Sequence, residues 1–473
     1  RFQCARRRLH PCGGRTSRAR LEIRSAGPAA LNPAKVGPDC YVGLDLGTSG
    51  CRAIAVDSQR RVLAESRVAL PGSRRGPSGA SEQDPHDWWR AVVGTLRALT
   101  GRKPGRILAL SVDGTSSTLL LCDAAGQPLT PALMYDDRQA GEQAGLIEQL
   151  APGDSPARGS GSALSKLLYL VDRVGPGKAK YALHQADWIN GKLSGKFGIS
   201  DENNALKLGY DPLNRRWPAW LSGLAIPAGL LPHVNPVGTR LGPIVAEVAR
   251  TLGLAEGVML VAGTTDSNAA ALAAGLTRTG DAVSSLGSTL VLKLYSDRPL
   301  NSSRYGVYSH RFGDGWLAGG ASNSGGAVLR QFFNDTEIAR LSRQIDPGRP
   351  LGLGYYPLPG VGERFPRSDP EMQARMEPRP NEPHAFLQAI LEGIADIEAE
   401  GYARLVELGA TAPVRVFTSG GGAVNETWRQ IRERRLGIPV LRASQTAAAF
   451  GSALLALQAM SRSGRPDPVQ PRS

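Results

Sequence analysis

Cysteine is scarce in this 473-residue chain: Cys4, Cys12, Cys40, Cys51 and Cys122, with no Cys-x-x-Cys pair. That spacing argues against a disulfide framework and against a thiolate zinc site. Histidine is equally sparse, six residues with no His-Glu-x-x-His, so a metalloprotease helix is absent too. No run approaches about 18 uncharged apolar residues, which excludes a membrane-crossing helix. Two common nucleotide-binding signatures are missing as well. Gly195-Lys196 is followed by Phe197 rather than by the hydroxyl of a P-loop, and no Gly-x-Gly-x-x-Gly follows the first predicted strand, so a Rossmann reading has little support.

What is there is ample apolar material. Hydrophobic residues make up 41% and charged residues 21%, enough for a sizeable core, and the length suggests two domains, possibly three. The net charge of +14 is unevenly placed: residues 1–38 hold nine Lys or Arg against the single acid Glu22. The body is only mildly basic, so a nucleic-acid partner loses its main support. The Arg- and Ala-rich, acid-poor stretch 1–38 has the composition of an organelle transit peptide; a disordered basic tail without an address is the alternative. Nothing in the sequence sets an oligomeric state.

The ordered body is predicted to begin near Asp39. Tyr41–Asp57 reads as strand, glycine turn and strand, with Val42, Leu44 and Leu46 on one side. In the segment 84–89, Asp84 suits an N-cap, Pro85 the first helical position and Asp87 the first turn. Ile107–Val112 and Val258–Ala262 read as buried strands, Leu164–Val174 and Leu183–Leu193 as helices, and Arg215–Pro236 as surface helices and turns. Nine prolines between Pro347 and Pro383 predict an ordered loop or insertion. Phe386, Leu387, Ile390, Leu391, Ile394 and Ile397 predict a long amphipathic helix. Leu46-Gly47-Thr48-Ser49 and Leu286-Gly287-Ser288-Thr289 are the same device, 240 residues apart, and suggest an internal duplication; chance is the competing explanation, since such turns are common.

Four motifs carry chemistry. Asp45 at a strand end can hold Mg²⁺, directly or through water, while Gly47, Thr48 and Ser49 offer amide and hydroxyl donors to polyphosphate oxygens. Gly287, Ser288 and Thr289 offer a second, facing hairpin. Asp266 ends a strand and heads an Ala-rich helix, where it suits a general base and equally suits a helix cap. Gly421 and Gly422 let the backbone approach a flat ring or a phosphate, and Asn425 is placed for adenine or ribose. Each hairpin is also compatible with a plain solvated turn, and the glycines with an ordinary connection.

Taken together, these residues resemble the FGGY family of carbohydrate kinases. The matches run in order: LDLGTSGCRA (44–53), EQDPHDWW (82–89), VDGTSS (112–117), MYDDR (134–138), GTTDSNAA (263–270), SLGST (285–289) and GGGAVNETWRQ (420–430). The resemblance implies an α/β fold of two actin-like, ribonuclease-H-type ATPase domains with a nucleotide cleft between them. It places the sugar-side domain at 39–262, the nucleotide-side domain at 263–460 and a polar tail at 461–473. It implies ATP and Mg²⁺ as cofactors, a sugar as acceptor, Asp266 as catalytic base, and Asp45 as the metal-associated, substrate-facing acid. By the same resemblance Asp113, Gly114, Thr115 and Ser116 contact the acceptor. Two departures stand out: Asp113-Gly114-Thr115 where many xylulose kinases have Met-His-Gly, and Thr264-Thr265-Asp266-Ser267 in place of the more usual Gly-Asp-x-x. Together with NNALKLGY (203–210) and YPLPGVGERFP (356–366), these resemble the plant and cyanobacterial branch associated with D-ribulose. That resemblance implies D-ribulose 5-phosphate as product and tilts the leader towards a chloroplast stroma, over cytoplasm or mitochondrion. D-xylulose or a polyol is the closest alternative acceptor; an actin-like ATPase or a sugar-binding regulator is more remote.

Overall fold

The computed structural model describes residues 37–461. The expected leader lies outside the described residues except for Gly37 and Pro38, and the polar tail except for Ser461. Six helices organise the description: α1 (Pro85–Gly101), α2 (Ala163–Val174), α3 (Asp266–Ala274), α4 (Pro383–Glu407), α5 (Glu426–Leu436) and α6 (Ala448–Ser461). The first sheet contains β1 (Asp39–Leu46), β2 (Gly50–Val56), β3 (Val62–Ala69), β4 (Arg106–Gly114), β5 (Arg240–Pro243) and β6 (Met259–Val261). The second contains β7 (Asp281–Leu286), β8 (Leu290–Ser296), β9 (Tyr308–Phe312), β10 (Gly315–Ser322), β11 (Arg415–Ser419) and β12 (Val440–Arg442).

The two sheets share a five-stranded core. In the first, β1 pairs antiparallel with β2 and β2 with β3, while β4 and then β6 lie parallel on the other side of β1. In the second, β7 pairs antiparallel with β8 and β8 with β10, while β11 and then β12 lie parallel on the other side of β7. The duplication suggested by the two Gly-hydroxyl hairpins is thus repeated at the level of whole sheets.

Alternation along β1 sets its two faces. Cys40, Val42, Leu44 and Leu46 are fully buried in one core with Trp88, Val92, Leu96 and Leu99 of α1. Each such leucine contributes roughly 1.5–3 kcal/mol by leaving water. The start of α1 forms as its sequence predicts: Asp84 accepts a 2.9 Å bond from the His86 amide, and Pro85 opens the first turn. The opposite face carries Tyr41, which packs with Ala449, Ala453 and Leu457 of α6. Gly43 makes that approach possible: a Cβ there would stand 1.9 Å from the Ala449 carbonyl oxygen and 2.3 Å from the Ala453 nitrogen. Helix α6 therefore returns to cover the first sheet. Helix α3 packs against α6, so elements on the far side of the expected 262/263 division belong spatially to the first lobe.

The first lobe also carries a five-stranded sheet built from Arg74–Arg75, Ser81–Gln83, Ala132–Leu133, Leu119–Cys122 and Tyr181–His184, with α2 packed on it. In the second lobe, α4 lies on β8 and β10 and against α5, and its predicted apolar stripe is buried. Three expectations change in detail. Leu183 and His184 are extended, pairing with Leu120 and Leu119, and the helix starts at Gln185. The segment 215–236 holds one 3₁₀ turn, Ala219–Gly223, and a short strand, His233–Asn235, because its prolines remove the donors a longer helix needs. Asp266 is the first residue of α3 rather than its cap, which is Thr265.

Candidate active site

Three neighbouring parallel strands, β1, β4 and β6, end at one edge of the first sheet, where open α/β sheets bind ligands. Each delivers an acid. Asp45 closes β1 and stands in register with Asp113 on β4. Asp266 follows β6, held beside β4 by a parallel bridge between Gly114 and Thr265. Asp113 is completely buried, with its Oδ2 accepting a 2.5 Å bond from Ser452 of α6 and its Oδ1 left without a protein donor. Burial, then the neighbouring Asp45 charge, pushes Asp113 well above the usual carboxylate range. Burial also raises Asp45, which lies within hydrogen-bonding reach of Asp113. Asp266, half-buried, is raised to about 6, by burial first and by Asp45 second. Three carboxyls at one strand edge repel one another's charge, so the cluster favours a proton or a cation in its midst.

A cleft of about 970 Å³ opens in front of this edge. Gly47 and Thr48 of the first hairpin, Thr115, Ser116 and Asp266 line it together, whereas Asp45, Asp113 and Gly114, expected to face the acceptor, are not among its lining residues, Asp113 being completely buried behind it. The hairpin is shaped by a Gly47 amide bond to the Gly50 carbonyl, 3.0 Å, and buttressed by Gln83, which donates to the Thr48 carbonyl at 2.8 Å. Trp88 in turn holds Gln83 at 2.8 Å, which gives the EQDPHDWW motif its task. Gln185 accepts from the Thr115 amide and hydroxyl at 3.0 and 2.9 Å. Gly114 sits buried behind them, and Ser49 is exposed beside the cleft rather than lining it.

A second cavity, about 590 Å³, lies in the other lobe. Gly287, Ser288, Gly421, Gly422 and Asn425 line it, so the second hairpin and the glycine loop meet as expected. Thr289 is not among its lining residues; its carbonyl accepts the Gly287 amide at 3.2 Å and closes the turn. Arg330 donates to the Ser288 hydroxyl at 2.7 Å and places a cation beside that hairpin. Asn425 differs from expectation. Its Oδ1 caps α5 through the Trp428 amide, 3.0 Å, and its Nδ2 donates to Ser342, 2.9 Å, so both ends of the amide are already engaged. The two hairpins line two separate cavities rather than one.

Sequence reasoning missed two cations. Lys207, from NNALKLGY, lines the main cleft, with its ammonium 5.0 Å from the centre of the Tyr308 ring. Lys293, from the second lobe, donates to Ser267 at 3.1 Å and Asn268 at 2.9 Å at the start of α3; burial lowers it to about 8 while Asp266 favours its charge. The signal for Lys207 was its place inside a quoted motif; an isolated lysine in a strand such as β8 gives none.

The FGGY family of carbohydrate kinases matches over both lobes: its N-terminal domain over residues 40–273 and its C-terminal domain over residues 282–460. Xylulose kinase of Escherichia coli (strain K12) is 28% identical over 411 residues, covering 83% of this chain and 84% of that protein. Glycerol kinase of Delftia acidovorans is 27% identical over 450 residues, covering 88% and 89%. Among solved structures, a "xyloylose kinase" from Brucella ovis superposes with a TM-score of 0.80 at 25% identity, covering 89% of this chain and 90% of that one. Two lobes built on the same five-stranded core and a cleft lined by Asp266, the Gly47-Thr48 hairpin, Thr115 and Ser116 agree with these likenesses, and the chain belongs to the FGGY family of carbohydrate kinases.

Proposed function

We propose that this sugar kinase transfers the γ-phosphate of ATP to the terminal hydroxyl of D-ribulose, giving D-ribulose 5-phosphate, with Asp266 as general base. The observation that carries the mechanism is Asp266 itself: it lines the cleft beside Thr115 and Ser116, and its proton affinity is raised to about 6. A base acts best when its pKa lies near the working pH, and a positioned base contributes about 10²–10⁴ in rate. The adenosine fits the smaller cavity between the second hairpin and Gly421-Gly422. The phosphates then run towards Gly47 and Thr48, whose amide and hydroxyl meet the developing charge. Thr115 and Ser116 orient the sugar, and Lys207 faces the same space.

The donors suit Mg²⁺. Asp113 has a buried oxygen without a protein donor next to Asp45, and a hard cation takes carboxylate oxygens. Bound there, Mg²⁺ would neutralise phosphate charge.

The choice of ribulose rests on the VDGTSST, NNALKLGY and YPLPGVGERFP segments. D-xylulose is the second reading, favoured by the names of the relatives. The test is a panel of D-ribulose, D-xylulose, L-ribulose and glycerol in a coupled ADP assay on residues 39–473. A kcat/KM for D-ribulose at least tenfold above the others is the expected result. Preference for D-xylulose would overturn the sugar assignment, and sugar-independent ADP release the mechanism.

A further inference from the structure

Lys166 is buried completely, yet none of its contacts is a carboxylate at ion-pair distance among the described residues. Its ammonium donates to two backbone carbonyls, Ser117 at 3.0 Å and Met134 at 2.7 Å. Those carbonyls belong to different segments, and both segments wall the cleft. Ser117, with a φ of +66°, ends the turn that presents Thr115 and Ser116. Met134 precedes Tyr135 and Arg138, which line the same space. Lys166 itself lies in the first turn of α2, directly after the lining stretch Gly159–Ser162. One side chain thus ties together three segments around the acceptor end of the cleft.

An apolar residue would fill this position at less desolvation cost, but it would leave the Ser117 carbonyl without a donor and the Met134 carbonyl with only the Asp137 amide at 3.0 Å, cutting the tie between the two segments. We infer that Lys166 is a positioning residue for the sugar: by bridging the Ser117 and Met134 carbonyls it sets the spacing of the two segments that grip the acceptor. The inference rests on the kinase reading above and adds a determinant of sugar affinity that is separate from the nucleotide cavity.

The charge on Lys166 supplies an independent readout. Burial pushes its ammonium down to about 7. Asp137 and Asp136 favour the charged form, and Arg138 and Lys207 oppose it. Of the other elements packed against α2, strand Leu119–Cys122 offers only Cys122, whose thiol burial pushes to about 12, and helix Gly141–Leu150 carries Glu142 and Glu148 at exposed positions. Losing the proton weakens two charge-assisted bonds, so the acceptor segments loosen as the pH rises through this range.

Three measurements on the full 473-residue chain test this. Lys166→Met should raise the KM for the preferred sugar at least tenfold and leave the KM for ATP within twofold. Lys166→Gln, which keeps two N–H donors without the charge, should recover part of that loss. In the unaltered enzyme the sugar KM should climb above about pH 7 while the ATP KM does not. If Lys166→Met does not fold, the Gln variant and the native pH profile decide. A parallel rise in both KM values would make Lys166 a purely structural residue and overturn the inference, as would an unchanged sugar KM in a folded variant or a flat sugar-KM profile. Failure of the kinase reading is distinguishable, because then no sugar in the panel would stimulate ADP release.

Discussion

Replacing Asp266 by Asn should make the protein more stable while stopping catalysis. The Asp266 carboxyl is raised from its ordinary 3.8 to about 6, so between those values the folded protein holds a proton that the unfolded chain has lost. Stability therefore falls as the pH rises through that window and stays lower above it. The displacement corresponds to about 3 kcal/mol. Partial exposure of the side chain makes this a ceiling, and about 1–2 kcal/mol is the realistic gain once water screens the charge. Asn keeps the shape and an oxygen for the Ser267 amide that Asp266 Oδ1 now accepts at 2.6 Å. Urea unfolding followed through buried Trp88 and Trp188 reports on the first lobe. At pH 7.5 Asp266→Asn should outlast the wild type; the difference should shrink below pH 6 and be nearly gone by pH 4. Sugar-dependent ADP release should drop by about 10²–10⁴. An Asn variant no more stable than wild type at pH 7.5, or a gain independent of pH, would show that Asp266 stores no electrostatic strain.

Two further outcomes concern the scaffold. Glu398 and Arg432 form a fully buried bidentate pair at 2.5 and 2.6 Å, with Ser284 donating to Glu398 and Arg432 to Thr418, and it joins α4 and α5 to β7 and β11 in the lobe that holds the smaller cavity. Glu398→Gln leaves the guanidinium without its counter-charge and should cost about 3–5 kcal/mol in a denaturant melt, with a higher KM for ATP; a change below about 1 kcal/mol would contradict this. Gly43→Ala forces a methyl against the α6 backbone and should lower stability by at least about 1–3 kcal/mol. Hydrogen exchange should quicken in α6 before α1, and uniform exchange would speak against that packing.

How far the sequence reveals this molecule depends on the kind of signal each part leaves. The hairpins, the Asp84-Pro85 helix start and the long helix α4 show because glycine, proline, caps and apolar period are local causes with local effects. The destination of α6 does not show. Its run of small apolar residues announces burial on every side, but only Gly43, some 400 residues earlier, says against what. The capping role of Asn425 is hidden because one amide can cap a helix or meet a ligand, and only the positions of Trp428 and Ser342 show what it holds. Lys166 and Lys293 escape notice because a lone lysine reads as solvated; what makes each unusual is burial contributed by distant segments. The proline-rich stretch is recognisable as irregular, whereas its anchor is not: Glu363 accepts from Ser322 at 2.6 Å and from Tyr356 at 3.0 Å.

The duplicated sheets carry different residues at equivalent strand ends. Asp45 stands two residues before Gly47, and Ser285 stands two residues before Gly287, so the two occupy equivalent places on β1 and β7. Their register partners across the parallel neighbour are Asp113 and Ser419. The same position pair is therefore Asp–Asp in the first sheet and Ser–Ser in the second. Two carboxylates in that spot repel each other's charge: Asp45 raises the proton affinity of Asp113, while the hydrogen bond with Asp113 opposes the rise that burial gives Asp45, so the pair favours a proton or a cation between them. Two hydroxyls carry no charge to compensate and can donate or accept as a nucleotide requires. The strand ends differ in the same sense: β6 leads into Asp266, whereas β12 leads into Ala443 and Ser444. One backbone plan, used twice, thus yields an acidic strand edge in the first lobe and an uncharged one in the second, and the difference between them resides in three carboxylates.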